Sequence, residues 1–154
     1  MPHVRPNLRL LLVSEPFGAA LGAPAAARWL AGGLQDGGLS EPDVLALPGG
    51  LRAGPGLQEL LEGEHLARRM DDARALLIAT AHLDGERLQD TPAFELATRA
   101  RQGGVPCYAV TARNGLDCFQ ARILDLQLVL QAAAPRSLRA AGRTLGEAVL
   151  AGVR

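Results

Sequence analysis

The sequence predicts an α/β fold, a single three-layer α/β/α domain built around a mainly parallel five-stranded sheet. Two observations predict it. Short apolar runs of strand length recur along the 154 residues, and stretches with helical apolar spacing separate them. Strands that read as continuous apolar runs, rather than alternating ones, are covered on both faces, and crossing helices supply the cover. The composition agrees. Hydrophobic residues make up 48% of the chain but aromatic residues only 3%, so the core must be built from Leu, Val and Ala. A chain of this length buries ~70% of its unfolded surface in one domain.

Residues 8–13, ending Leu10-Leu11-Leu12-Val13, form the first strand, and residues 14–22 the loop after it. A helix opens with Pro24 in its first turn, carries Ala26, Ala27, Leu30 and Leu34 at helical spacing, and is expected to close near Gly32-Gly33. Residues 44–47 are the second strand. The glycine- and proline-rich stretch 48–56 must be a loop. Leu57, Leu60 and Leu61 begin a helical segment that Gly63 interrupts before it resumes toward Met70. Residues 75–79 are the third strand. Thr91-Pro92 supplies a cap and a first-turn proline for a helix through Phe94, Leu96, Ala97 and Ala100 to Gly103-Gly104. Residues 106–110 are the fourth strand, a short helix lies around 117–121, and residues 126–130 are the fifth strand. Ser137 is expected to cap a last helix with Ala141, Leu145, Ala148 and Val149 on one face.

Five alternations of strand and helix give a Rossmann-like or flavodoxin-like sheet, with 2-1-3-4-5 as the expected strand order. Ligands of such sheets bind beyond the carboxyl ends of the strands. The chemistry is therefore sought in residues 14–22, 48–56, 80–91, 111–115 and 131–136.

Several functions are disfavoured at once. Sixteen acidic residues balance sixteen basic ones, so no field draws nucleic acid or an anionic membrane, and neither partner is expected. Every basic residue is arginine. Without lysine there is no P-loop lysine, Schiff-base lysine or lysine general base. Cys107 and Cys118 make no disulfide framework and no metal spacing, and both read as apolar filler. His3, His65 and His82 are too scattered for a metal motif. The first residues lack the apolar core of a signal peptide, and no apolar run is long enough to span a membrane, so a cytoplasmic location is expected.

Three segments together resemble the bacterial glycerate kinase family. The first is Leu11-Leu12-Val13-Ser14-Glu15-Pro16-Phe17-Gly18-Ala19-Ala20-Leu21 with the alanine-rich helix after it, which is similar to that family's opening strand and A-P-D-S-F-K-G-S-L loop. The second is Leu47-Pro48-Gly49-Gly50, where the family has A-D-G-G-E-G-T. The third runs from Asp72 through Ala75-Leu76-Leu77-Ile78-Ala79-Thr80 to Leu83-Asp84, then Gly103-Gly104-Val105-Pro106. It is similar to the family's A-D-L-V-I-T-G-E-G-R-x-D-x-Q segment and the G-V-P strand. The resemblance covers most of the chain.

Its departures bear on function. Glu15 stands where the family has aspartate, and Gly18 where it has lysine. The second loop has lost both acidic side chains, and of the third turn's acids only Asp84 remains. The resemblance implies a kinase with one α/β domain made from both ends of the chain and a second domain inserted in the middle. Here the missing length falls between about residues 50 and 64. What remains resembles the first domain alone, with its loops eroded.

Phosphoryl transfer needs positioned nucleotide, charge neutralisation and an orienting group near the acceptor. Glu15 and Asp84 both follow strand ends and are the candidate catalytic pair, able to hold Mg²⁺ through water; they equally suit solvated loop carboxylates. Gly49 and Gly50 suit a tight turn, and also let backbone N–H groups approach a phosphate. Ser14 lies beside Glu15 in the first loop. His82 invites acid–base chemistry with Asp84, or is an exposed loop histidine. Arg113 and Asn114 are placed to contact an anion, or Asn114 caps the following helix.

The expected function is a catalytically degenerate glycerate-kinase-like domain that binds a small anionic ligand or a protein partner. The alternative is a minimal active glycerate kinase, needing Mg and ATP, whose cleft is rebuilt in a homo-oligomer. A structural subunit is a third reading, since the apolar stretch 116–130 exceeds what one core hides.

Overall fold

Five strands and six α-helices alternate along residues 9–152, the part of the chain that the computed structural model describes. The strands are β1 (Leu11–Ser14), β2 (Asp43–Ala46), β3 (Leu76–Leu83), β4 (Cys107–Asn114) and β5 (Leu126–Gln131). They form one all-parallel sheet in the order β2-β1-β3-β4-β5. The expected topology is thus the observed one. Leu8, placed at the head of the first strand from the sequence, lies outside the described residues.

Side chains alternate across the sheet and divide the core in two. Leu11, Val13, Leu76, Ile78 and Ala109 face one layer, with α2 (Pro55–Gly63), α3 (Leu66–Asp71), α4 (Pro92–Gln102) and α5 (Cys118–Ile123) on that side. Leu12, Leu77, Ala79 and Val110 face α1 (Ala23–Asp36) and α6 (Pro135–Ala151). Leu11, Leu12, Leu76 and Leu77 are 0% exposed, and each such leucine stabilises the fold by about 1.5–3 kcal/mol.

Helix α1 does not stop at Gly32-Gly33; it continues to Asp36. Those glycines mark an approach of helices. A Cβ on Gly142 of α6 would meet the Leu30 carbonyl at 2.5 Å, and one on Gly146 the Leu34 carbonyl at 2.9 Å. Gly33 in turn lies directly against the Arg139 carbonyl, and a Cβ on Gly37 would sit 2.6 Å from the Arg143 carbonyl. Two glycines four residues apart on each partner therefore let the backbones of α1 and α6 touch. The Asp36 and Arg139 side chains then pair at 2.7 Å across the crossing.

Several local details differ from the sequence reading. The third and fourth strands run on to Leu83 and Asn114, beyond the expected ends at Ala79 and Val110. Ser137 caps α6 from its third position rather than ahead of it: its Oγ accepts from the backbone N–H of Ala133 and Ala134, and Ala134 is the cap residue. Helices α2 and α3 are separate because His65 takes a left-handed backbone (φ 57°) after Gly63. Thr91 does cap α4, accepting from Phe94 N. Cys107 is buried as expected, but Cys118 is exposed in the first turn of α5 and is no core filler. No helix among the described residues is long and apolar enough to cross a membrane.

Candidate functional site

The carboxyl edge of the sheet is where the strand ends turn polar. Ser14 closes β1 and is fully buried; its Oγ donates to the Glu15 carbonyl at 3.1 Å. Pro16 then ends the ladder, because it has no N–H to give. Strands β3 and β4 continue past this point, pairing Thr80 with Thr111, which still has Gln131 of β5 beside it, and then His82 with Arg113 and Leu83 with Asn114 as a two-stranded arm. Thr80 and Thr111 are buried, and the Thr111 Oγ1 donates to the Arg113 carbonyl at 3.1 Å. Glu15 is half-buried, and the Thr80 hydroxyl donates to its carboxylate. Burial pushes that carboxyl above its ordinary range, and the Thr80 bond offsets part of the rise.

Asp84 follows the arm. Its Oδ1 accepts from Glu86 N at 3.0 Å, which turns the chain toward α4. One further bond decides what Asp84 faces: Ala53 N donates to the Asp90 carbonyl at 2.8 Å and draws the loop after β2 against the loop after β3. Between the two loops lies a cavity of about 410 Å³ lined by Leu51, Arg52, Asp84, Arg87, Asp90 and Thr91. Neither Arg52 nor Arg87 enters an ion pair among the described residues. Thr91, the cap of α4, brings the positive end of that helix to the same wall.

The residues singled out from the sequence are thus distributed along the edge rather than gathered. Asp84 lines the cavity, whereas Ser14 and Glu15 sit at the end of β1, with Glu15 turned to Thr80. Gly49 and Gly50 form an exposed turn, with Gly50 at φ +77° and Gly49 packed near Pro16; the next residues, Leu51 and Arg52, reach the cavity instead. His82 and Arg113 are exposed neighbours on the arm, within the strands and not in loops. Asn114 does not cap the next helix. Its Oδ1 accepts from Leu116 N, and Asp117 caps α5 through a reciprocal pair of bonds with Gln120.

The two arginines are the residues that sequence reasoning passed over. Only the folding of two distant loops onto each other gives them a common cavity. A divalent cation at Asp84 would find one other carboxylate, Asp90, and two guanidinium groups lining the same space. Mg²⁺ is held by one or two carboxylates together with substrate phosphates, so these two aspartates would not hold it without a phosphate beside them. Among the described residues no three His, Cys, Asp or Glu side chains gather as ligands.

Strand order and cleft position define a doubly wound α/β domain of flavodoxin-like topology with a mixed-charge cavity at its carboxyl edge. No family model matches the sequence, and no curated protein matches it either.

Proposed function

We propose that this chain is a glycerate-kinase-like α/β domain that binds a small anionic ligand and does not transfer phosphate. The observation that carries the reading is the pair of unpaired guanidinium groups, Arg52 and Arg87, lining one cavity at the carboxyl edge beside the N-terminus of α4. Arginine offers a planar fork of donors suited to carboxylate or phosphate. Asp84 and Asp90 on the same walls can accept from hydroxyls or protonated oxygens of such a ligand. Phosphoryl transfer is disfavoured because the chain has no lysine to neutralise the transferred phosphate.

Calorimetric titration with inorganic phosphate and with glycerate tests the reading. Binding by either, weakened at least tenfold in Arg87→Gln, supports it; no binding by either at millimolar concentration overturns it. The same protein incubated with Mg-ATP and glycerate separates the kinase alternative. Glycerate-dependent ADP release that Asp84→Ala abolishes would establish an active kinase instead.

A further inference from the structure

The wall of the anion cavity is shared. Arg87 and Asp90 also line a second, larger groove of about 550 Å³ on their far side, between α4 and α5. The two spaces differ in chemistry. The first has Arg52; the second has Phe94, Phe119 and Ile123 in its lining, with the Glu86 and Asp117 carboxylates at other points of its wall.

The far wall of the groove is unusual in how it is held. None of the residues of α5 is buried, and apolar packing holds it only from its flanks, through Leu116 and Leu124. Polar ties hold the helix itself: Gln120 Nε2 donates to the Gly85 carbonyl at 2.9 Å, and Arg101 donates to the Ile123 carbonyl at 2.8 Å. Gly85 has room for no side chain there, since a Cβ would meet Gln120 Oε1 at 2.6 Å. Phe119 and Ile123 are four residues apart and share one helical face. They remain 70% and 45% exposed, although their helix is pinned in place. A helix tied by these bonds offers its apolar face to a groove that also holds the unpaired Arg87 guanidinium, an arrangement for a ligand with two unlike ends.

We infer that the anion site continues into this groove, so that the ligand is a phosphate or carboxylate carrying an apolar group about the size of an aromatic ring. The anionic head lies between Arg52 and Arg87, and the apolar body lies against Phe119 and Ile123. Arg87 stands at the junction and orients the head. The inference rests on the anion-binding reading above and adds the class of ligand to it.

Two phosphate monoesters of equal charge, methyl phosphate and phenyl phosphate, test it on the whole chain by calorimetric titration. Burying about half of a ring against Phe119 is expected to make phenyl phosphate bind roughly tenfold more tightly. Phe119→Ala, which removes an exposed side chain and leaves the core intact, abolishes that preference while methyl phosphate binds as before. Arg87→Gln weakens both esters. Equal affinity for the two esters in the parent protein, or a preference that survives Phe119→Ala, overturns the inference and leaves the anion site standing. If neither ester nor inorganic phosphate binds, the anion site and its extension fail together.

Discussion

Arg69 clasps Asp43 with two nitrogens, Nε at 2.9 Å and Nη2 at 2.8 Å, and so ties α3 to the edge strand β2. The same guanidinium donates to the Val44 carbonyl at 2.9 Å. An edge strand of four residues has one neighbour to hold it, and this clasp is its second anchor.

The Arg69 hydrogen bond holds the Asp43 carboxyl below its ordinary 3.8. A carboxyl whose folded pKa lies below its unfolded one stabilises the fold above the unfolded value and loses that contribution as pH falls through the folded one. Asp43→Asn is therefore expected to cost about 1 kcal/mol at pH 7, discounted for partial exposure. Urea midpoints measured from pH 7 down to pH 2 should show the two proteins converging at the acid end. A gap that stays constant to pH 2 would contradict the clasp.

Glu15 carries the opposite sign. Burial raises its carboxyl above the ordinary 4.5, so the fold prefers the protonated form and loses stability as pH rises from the unfolded value through the folded one. Glu15→Gln keeps an acceptor for Thr80 and removes the buried charge. It should melt higher than the parent at pH 7, by a few degrees at most, and equal it below about pH 4. A lower melting temperature at pH 7 would give Glu15 a stabilising role that burial does not explain.

Two glycine substitutions should move stability in opposite directions. Gly142→Ala drives a methyl into the Leu30 carbonyl and should cost about 2 kcal/mol or more, because neither backbone has room to retreat. Gly56→Ala lies in α2 with nothing within 4 Å and should gain about 0.5 kcal/mol through helix propensity. Thermal denaturation of both variants checks the pair.

The cysteines should separate by reactivity. Burial pushes the Cys107 thiol up to about 12, while Cys118 is exposed. Thiolates are the reactive form, so a thiol reagent at pH 8 should modify Cys118 quickly and Cys107 only on unfolding, as peptide mass spectrometry would show. Rapid modification of both in the folded protein would contradict the packing around β4.

The strand count and the parallel sheet could be read from the apolar runs, because Leu76-Leu77-Ile78 and Ala109-Val110 need cover on both faces, whereas the order came from the habit of doubly wound folds. The same rule missed the arm. Thr80 to Leu83 and Thr111 to Asn114 pair with each other past the end of β1, so residues such as His82 and Arg113 are exposed there and no apolar run marks them. Gly32-Gly33 misled for a related reason: glycine ends a helix when it stands free, but here a neighbouring backbone requires it. The site was the least legible part. Asp84 was found because it follows a strand, whereas Arg52 and Arg87 acquire meaning only through the bond from Ala53 N to the Asp90 carbonyl, which no local pattern announces.

The glycine-lined crossing of α1 and α6 also has a consequence in time. Asp36 and Arg139, which meet across it, are separated by 103 residues. A ribosome adding 5–20 residues per second takes roughly 5–20 s to bridge that span. Until then Leu30 and Leu34 can pack against Leu12 of β1 and later Leu77 of β3, but the backbone groove along Gly33 stays open. The glycine-lined side of α1 must therefore wait for the last helix before this layer of the domain can close.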